Sequence, residues 1–372
     1  MKVVVLGGAG EMGSRAVEDL AVAPEVERVT NADRDVQRAT RVIDRINNPR
    51  ADLDVVGVDA TDHDALVSAI KGYDVAASSL GPFFAFESRL VAAALDAETN
   101  YVSICDDWSA TLDVFIRFDL DARERGVTVV TGSGASPGLS NVGVKLLADR
   151  MDQVEKVDIS VFVPMDSSEG EATIQHTTFV YGTTVPVFKG GTMQVLPAGC
   201  ESRKVEFPRY GRVRVWNVGH SEPVTLPRYF PHLKEINMMM GLGPGTGALV
   251  AAGRLGVFKS PRRRDIISKA AVRLMRPEST SEAEGAVRID VSGTREGRPV
   301  TLTGCGTATM RDSTGLALSV GTIMSGMNKL TAKGGGVFAP EGCFEPEAFL
   351  EMMAERGIPV FSDLAMTERL VT

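Results

Sequence analysis

The chain opens on a short β-branched run, Met1 to Leu6, that enters Gly7-Gly8-Ala9-Gly10-Glu11-Met12-Gly13 without a spacer. No other feature restricts the fold as much. So short and apolar a run reads as a buried strand, and Ala16, Leu20 and Ala21 then recur at helical spacing. The GxGxxG of Gly8, Gly10 and Gly13 therefore sits where a strand hands over to a helix. There Gly8 allows a tight turn, Gly10 lets backbone approach a pyrophosphate, and Gly13 lets helix and strand pack closely. The first helical N–H groups, around Glu11 and Met12, would hold the phosphates.

The next segment strengthens this reading. Val26 to Ala32 reads as a second strand ending at Asp33, twenty residues beyond Gly13. A carboxylate there can accept both adenosine ribose hydroxyls and repels a 2′-phosphate, which favours NAD; the neighbouring Arg34 leaves NADP open. The competing reading is a turn aspartate in a nucleotide fold that no longer binds anything. Further strands are predicted at Asp54 to Val58, Tyr73 to Ser79, Tyr101 to Ile104 and Val127 to Val130, with helical patterns between them. That alternation implies a parallel sheet whose ligands lie beyond the carboxyl ends of the strands. The contact positions expected there are Asp59, Ala60, Ser79, Leu80, Gly81 and Pro137, within loops that also include Cys105 to Trp108 and Gly132 to Asn141.

At 372 residues and 44% hydrophobic, the chain is long enough for two domains with real cores. Forty basic against 48 acidic side chains leave a net charge of −8, which argues against nucleic acid as a partner. Cys105, Cys200, Cys305 and Cys343 stand far apart with no CxxC pair, so reduced thiols are expected and no metal site. The longest uncharged stretches, 126–144 and 236–253, are broken by glycines and a proline, unlike a spanning helix. The expectation is a soluble cytoplasmic protein that makes no membrane contact.

The chain resembles the saccharopine dehydrogenase family. The resemblance is carried by Gly7 to Gly13, by Gly132-Ser133-Gly134-Ala135-Ser136-Pro137-Gly138-Leu139-Ser140-Asn141, by Thr225 to Pro231, and by Gly336-Val337-Phe338-Ala339-Pro340-Glu341. It implies an α/β chain: a Rossmann-type doubly wound parallel sheet with an inserted α+β mixed-sheet substrate domain. Residues 1–135 plus 312–372 would form the dinucleotide-binding part, and 136–311 the substrate-binding part, through which a homodimer is expected to assemble. Strand character at Asp158 to Val163, Glu171 to Val180, Arg212 to Trp216, Val287 to Ser292 and Val300 to Ala308 fits that insertion. Leu316 to Leu330 reads as the returning helix, and Leu255 to Arg276, with Arg262-Arg263-Arg264, as a further helix with a solvated start.

The family resemblance implies hydride transfer between a nicotinamide and the carbon–nitrogen bond of an amino-acid-derived amine, most simply oxidation of a side-chain amine. Such chemistry needs a group that takes the amine proton. Asp107 and His220 are the catalytic candidates, with helix capping by one of the Asp106-Asp107 pair and a structural histidine as the plain alternatives. Asp106, Ser136, Asn141, Glu222 and Arg228 are expected at the substrate, Arg228 because guanidinium binds carboxylate bidentately. Family members that form saccharopine carry an aspartate before the Pro-Gly and a cysteine on the first substrate-domain strand, where this chain has Ser136 and approximately Phe162. Two other readings stay open: a reductase joining an amine to an aldehyde or keto acid, and a nucleotide-sensing protein without chemistry.

Overall fold

The structure is a computed structural model that describes residues 1–164, 180–181, 184–258, 260 and 283–371. The predicted strand at 171–180 and the predicted helix at 255–276 with its basic triplet lie almost wholly outside the described residues. The chain divides into two compact units, Met1–Val142 with Arg311–Gly357, and Gly143–Met310 with Ile358–Thr372.

The first unit is built on a seven-stranded parallel sheet. In chain order its strands are β1 (Lys2–Leu6), β2 (Arg28–Asp33), β3 (Asp52–Gly57), β4 (Val75–Ser78), β5 (Asn100–Ser103), β6 (Thr128–Thr131) and β15 (Gly336–Phe338). Their spatial order is β15-β6-β5-β4-β1-β2-β3. The helices between them are α1 (Glu11–Val22), α2 (Val36–Asp44), α3 (His63–Ile70), α4 (Phe83–Asp96) and α5 (Trp108–Arg125). Val3 to Leu6 is fully buried, as a central parallel strand covered on both faces must be. The strand order reverses between β1 and β4, and crevices for dinucleotides open at such a reversal.

The later segments close this unit. Helix α9 (Met310–Gly326) and helix α10 (Pro346–Glu355) are tied to α1 by one carboxylate. Asp19 Oδ2 accepts from Ser319 Oγ at 2.6 Å and from Arg356 Nε at 2.8 Å, and the Asp19 and Arg356 side chains are 11% and 16% exposed. The first-unit boundary runs past 135 to Val142, inside α6 (Leu139–Ala148), because the glycine-rich loop at 132–141 is bonded to this unit: Ser133 Oγ donates to Ala317 O at 3.1 Å.

The second unit carries an eight-stranded mixed sheet. Its strands are β7 (Gln153–Phe162), β8 (Thr184–Lys189), β9 (Thr192–Pro197), β10 (Ser202–Phe207), β11 (Gly211–Asn217), β12 (Glu235–Gly241), β13 (Glu284–Arg295) and β14 (Arg298–Thr309). β12 runs parallel to β7, and β13 pairs antiparallel with β7 and β14. Ile289 and Val291 are buried while Asp290 and Ser292 reach Thr303 and Thr301 on the other face, the predicted alternation. Short helices α7 (Glu222–Thr225) and α8 (Thr246–Arg254) complete the unit. Sequence reasoning assigned the last fifteen residues to the nucleotide-binding part, and the structure corrects this. Phe361 exchanges backbone hydrogen bonds with Cys305 of β14, and Arg150 donates to Leu370 O at 2.9 Å, so 358–371 belongs to the second unit. No helix among the described residues is long and apolar enough to cross a membrane.

Asp19→Ala would leave the largely buried Arg356 guanidinium without its carboxylate, at a cost of about 3 kcal/mol. Urea denaturation is expected to show a lower midpoint at unchanged slope. A midpoint equal to that of the wild type would show that the clamp contributes nothing.

Candidate functional site

The glycine loop is built by exclusion of side chains. Gly7 has φ +78° and hands the chain from β1 to α1, Gly10 N donates to Gly7 O at 3.0 Å, and Gly10 caps α1. A Cβ at Gly8 would stand 2.3 Å from Asn31 Oδ1, and one at Gly13 2.4 Å from both Gly7 O and Ser79 Oγ. At Gly10 it would meet only Gly7 O, at 3.2 Å, so this edge of the loop is open to close approach. Glu11 and Met12 are half-buried in the first turn of α1. The residues present thus fit a dinucleotide's pyrophosphate, with phosphate-binding N–H groups and no side chain in the way.

Asp33, at the end of β2, is half-buried and structural as well as exposed to a ligand. Its Oδ2 accepts from Ala9 N in the glycine loop at 3.1 Å and its Oδ1 from Asp35 N at 2.9 Å. Each oxygen keeps a second lone pair for a ribose hydroxyl. Arg34 and Asp59 are exposed nearby. Hydrogen bonds from Thr61, and less strongly the Arg34 charge, hold the Asp59 carboxyl below its ordinary range. Ala60 is buried behind Asp59. Ser79 Oγ donates to Gly7 O at 3.0 Å, with Leu80 half-buried and Gly81 exposed after it.

Two residues missed by sequence reasoning support this edge. Asn31 is fully buried and its Nδ2 donates to Gly8 O at 3.2 Å and Ala39 O at 3.3 Å, fixing the loop to β2 and α2. The signal was an amide within an apolar strand. Glu87 of α4 is also fully buried, on the helical face it shares with Leu90, Val91 and Ala94. It accepts from Ser103 Oγ at 2.5 Å, Tyr101 Oη at 3.1 Å and Thr131 Oγ1 at 3.3 Å. Burial, opposed in part by these bonds, pushes its carboxyl up to about 7.

The paired acids after β5 separate. Asp107 is 4% exposed and caps α5, its Oδ1 accepting from Ser109 N, Ser109 Oγ and Ala110 N at 2.9, 2.6 and 3.1 Å. The structure shows the capping alternative at Asp107 Oδ1, which is engaged by the helix. Asp106 beside it is half-buried.

The loop before α6 is also more structural than expected. Asn141 is fully buried; its Nδ2 donates to Glu341 Oε2 at 2.9 Å while its Oδ1 accepts from Ser140 Oγ and Gly138 N at 3.0 and 3.4 Å. Asn141, expected at the substrate, instead locks the Gly132–Asn141 loop to the Pro340-Glu341 turn. Pro137 is buried, within 2.8 Å of where a Cβ on Gly132 would stand. Ser136 is half-buried, and both it and Asn141 belong to the first unit rather than to the substrate part.

In the second unit, the chain leaves β11 through Val218-Gly219-His220-Ser221 into α7, and Val218 N donates to Met238 O on β12. His220 and Glu222 are 2% and 0% exposed, with His220 Nδ1 3.0 Å from Glu222 Oε2. Glu222, expected as a substrate contact, is thereby an orienting partner of the imidazole. Arg228 ends a 3-10 turn, Leu226–Arg228, and is exposed. No group of three or more His, Cys, Asp or Glu side chains among the described residues is arranged to hold a metal ion.

Residues 3–130 match the family model described as the saccharopine dehydrogenase NADP binding domain. The match lies within the first unit, which is similar to the NADP-binding domain of the saccharopine dehydrogenases. Among solved structures the fold is similar to saccharopine dehydrogenase (L-Glu forming) from Saccharomyces cerevisiae, at TM-score 0.66 and 14% identity over 96% of this chain and 98% of that one. It is also similar to homospermidine synthase from Legionella pneumophila, solved with NAD, at TM-score 0.63 and 11% identity over 97% and 91%. Amine dehydrogenase from Mycobacterium smegmatis gives TM-score 0.50 and 11% identity over 93% and 98%.

The raised Glu87 carboxyl sets a stability prediction. Its proton is bound in the folded chain and lost in the unfolded one between pH about 4.5 and about 7. Its contribution is therefore full below about 4.5 and falls away as pH rises through about 7. The difference amounts to about 3 kcal/mol. Urea unfolding across this range should show a steeper loss of stability in the wild type than in Glu87→Gln; equal slopes would refute the assignment.

Proposed function

We propose that the protein is an NAD-preferring oxidoreductase that oxidises the side-chain amine of an amino-acid-derived substrate, in the manner of a lysine 6-dehydrogenase. The observation that carries the cofactor preference is the Asp33 carboxylate at the end of β2, bonded to the glycine loop through Ala9. A negative charge there suits two ribose hydroxyls and opposes a 2′-phosphate. Bound at the loop, the nicotinamide would accept a hydride from the carbon bearing the nitrogen.

The His220–Glu222 pair supplies what the protein must add. With Nδ1 3.0 Å from Glu222 Oε2, the ring is held in one orientation, and this imidazole is assigned to take the proton of an ammonium before oxidation. Arg228 is assigned to the substrate carboxylate, and Asp106 to its cationic end. The amine dehydrogenase among the fold relatives is in keeping with this reading. A second reading, reductive joining of an amine to a carbonyl compound, draws on the names of the saccharopine dehydrogenase and homospermidine synthase, which have the higher TM-scores.

Incubation with NAD and a panel of diamino acids is expected to raise the absorbance of reduced nicotinamide, and His220→Asn to lower kcat by roughly 100-fold or more. No turnover with any amine would sink the oxidation reading, and oxidation of NADPH only when amine and carbonyl are both present would establish the second. Asp33→Ala is expected to raise the Kd for NAD about tenfold more than that for NADP. Because Asp33 also holds Ala9, both affinities should fall, so the ratio is the measurement; an unchanged ratio would remove the basis for the NAD preference.

A further inference from the structure

We propose that Glu87 is a positioning residue of the NAD(P)-binding unit, linking the loop that carries Ser79, Leu80 and Gly81 to the loop that carries Asp106 and Asp107 through a proton-dependent hydrogen-bond chain. Neither the cofactor contacts nor the proton-accepting pair uses this carboxyl, yet it is fully buried beneath the carboxyl ends of three parallel strands. Those ends face the side on which ligands of such sheets lie.

The chain can be followed atom by atom. Leu80 N donates to Ser78 Oγ at 3.3 Å, and Ser78 is hydrogen-bonded to the Tyr101 hydroxyl. Tyr101 Oη and Ser103 Oγ each reach one oxygen of Glu87, at 3.1 and 2.5 Å, and Ser103 Oγ accepts from Cys105 N at 3.4 Å. Thr131 Oγ1 of β6 closes the set at 3.3 Å. Ser78, Ser103 and Thr131 are the last residues of β4, β5 and β6, so one carboxyl joins three strand ends.

The direction of these bonds depends on one proton. As a carboxylate Glu87 only accepts, so Tyr101, Ser103 and Thr131 must all donate to it, and Ser78 then donates to Tyr101. As a carboxylic acid Glu87 donates once itself. If that bond is to Tyr101, the phenol turns its proton to Ser78 and the order reverses as far as Ser78, whose hydroxyl proton must then leave Tyr101 while its oxygen still accepts from Leu80 N. The titratable groups facing Glu87 are Tyr101 and Cys105 from β5 and its end, whose hydroxyl and thiol burial keeps neutral, and Asp106 from the loop after β5, while Asp107 beside it acts on Cys105 and caps α5. β4 and β6 present the hydroxyls of Ser78 and Thr131. From α3 and α5, His63, Asp113 and Arg125 meet α4 at Asp96 and Ser88 instead. Ionisation of Glu87 near neutral pH therefore places a buried negative charge beneath the loop that carries the half-buried Asp106.

A cofactor bound at these loops must feel that charge, and by linkage must shift the proton in return. The neutral reduced nicotinamide gains nothing from it, whereas the cationic oxidised ring does. We take NADH and NAD as probes. The ratio of their dissociation constants, Kd(NADH)/Kd(NAD), is expected to rise about fivefold between pH 6 and pH 8 in the wild type. It should stay flat in Glu87→Gln, which keeps the shape without the titration. Tyr101→Phe removes one donor to the carboxylate and should move the midpoint to higher pH, a readout that stands even where Glu87→Gln folds poorly.

A purely structural Glu87 predicts weaker binding at every pH with an unchanged profile. That result, or a Tyr101→Phe midpoint equal to the wild type's, overturns the proposal. Absence of binding by the wild type at every pH would overturn it together with the cofactor assignment, whereas a pH-independent ratio in a wild type that binds both overturns it alone.

Discussion

The first unit depends on how closely the glycine loop approaches its neighbours. Gly8 lies where any Cβ would overlap the Asn31 amide, and Gly13 where it would overlap Ser79 and the Gly7 carbonyl. This contact forces α1 to start directly at the end of β1, brings the Asp33 carboxylate onto Ala9, and ties the end of β4 to Gly7. The N–H groups and the Asp33 carboxylate proposed for the phosphates and the ribose are then placed by the same packing that closes the strand–helix joint. Stability and cofactor geometry are thus not separable at these residues, and an added methyl disturbs both.

The parallel sheet was legible because its central strands β1 and β4 are buried on both faces and read as short apolar runs, while β3 at the edge has no fully buried residue. β1 (Lys2–Leu6) and β4 (Val75–Ser78) fall within the segments that the pattern indicated. The second unit was harder to read. β12 (Glu235–Gly241) is a run of methionines with no alternation, and β10 (Ser202–Phe207) offers only Val205 and Phe207 as buried alternates. β15 contributes three residues at the sheet edge, fewer than a periodicity can show.

Within the candidate site, local signals survived and long-range ones did not. The glycine spacing and Asp33 depend on neighbours close in sequence, as does the cap that occupies Asp107. Asn141 and Glu341 are separated by 200 positions, and only the folded chain shows that one signature segment holds the other. His220 and Glu222 are two positions apart, yet which of them orients the other depends on burial of both, and a sequence does not display that. Glu87 did leave a trace, as a charge on the apolar face of α4, and such a trace identifies a buried carboxyl without revealing its hydroxyl partners.

The buried acids share a physical logic. A chain of net charge −8 gains little from ion pairs that merely cover its surface, and removing a carboxylate from water costs several kcal/mol unless it is well bonded. Asp19 meets that cost with a guanidinium and a hydroxyl, Glu222 with an imidazole, Glu341 with an amide, and Glu87 with three hydroxyls. These partners are not equivalent. A guanidinium brings its own positive charge and a directed N–H to the carboxylate, so Asp19 serves as a fixed strut between helices. Hydroxyls carry no charge to oppose burial, so Glu87 retains its proton close to neutrality. The choice of partner, together with the depth of burial, therefore separates the acid that clamps helices from the one whose state can change beneath the strand ends.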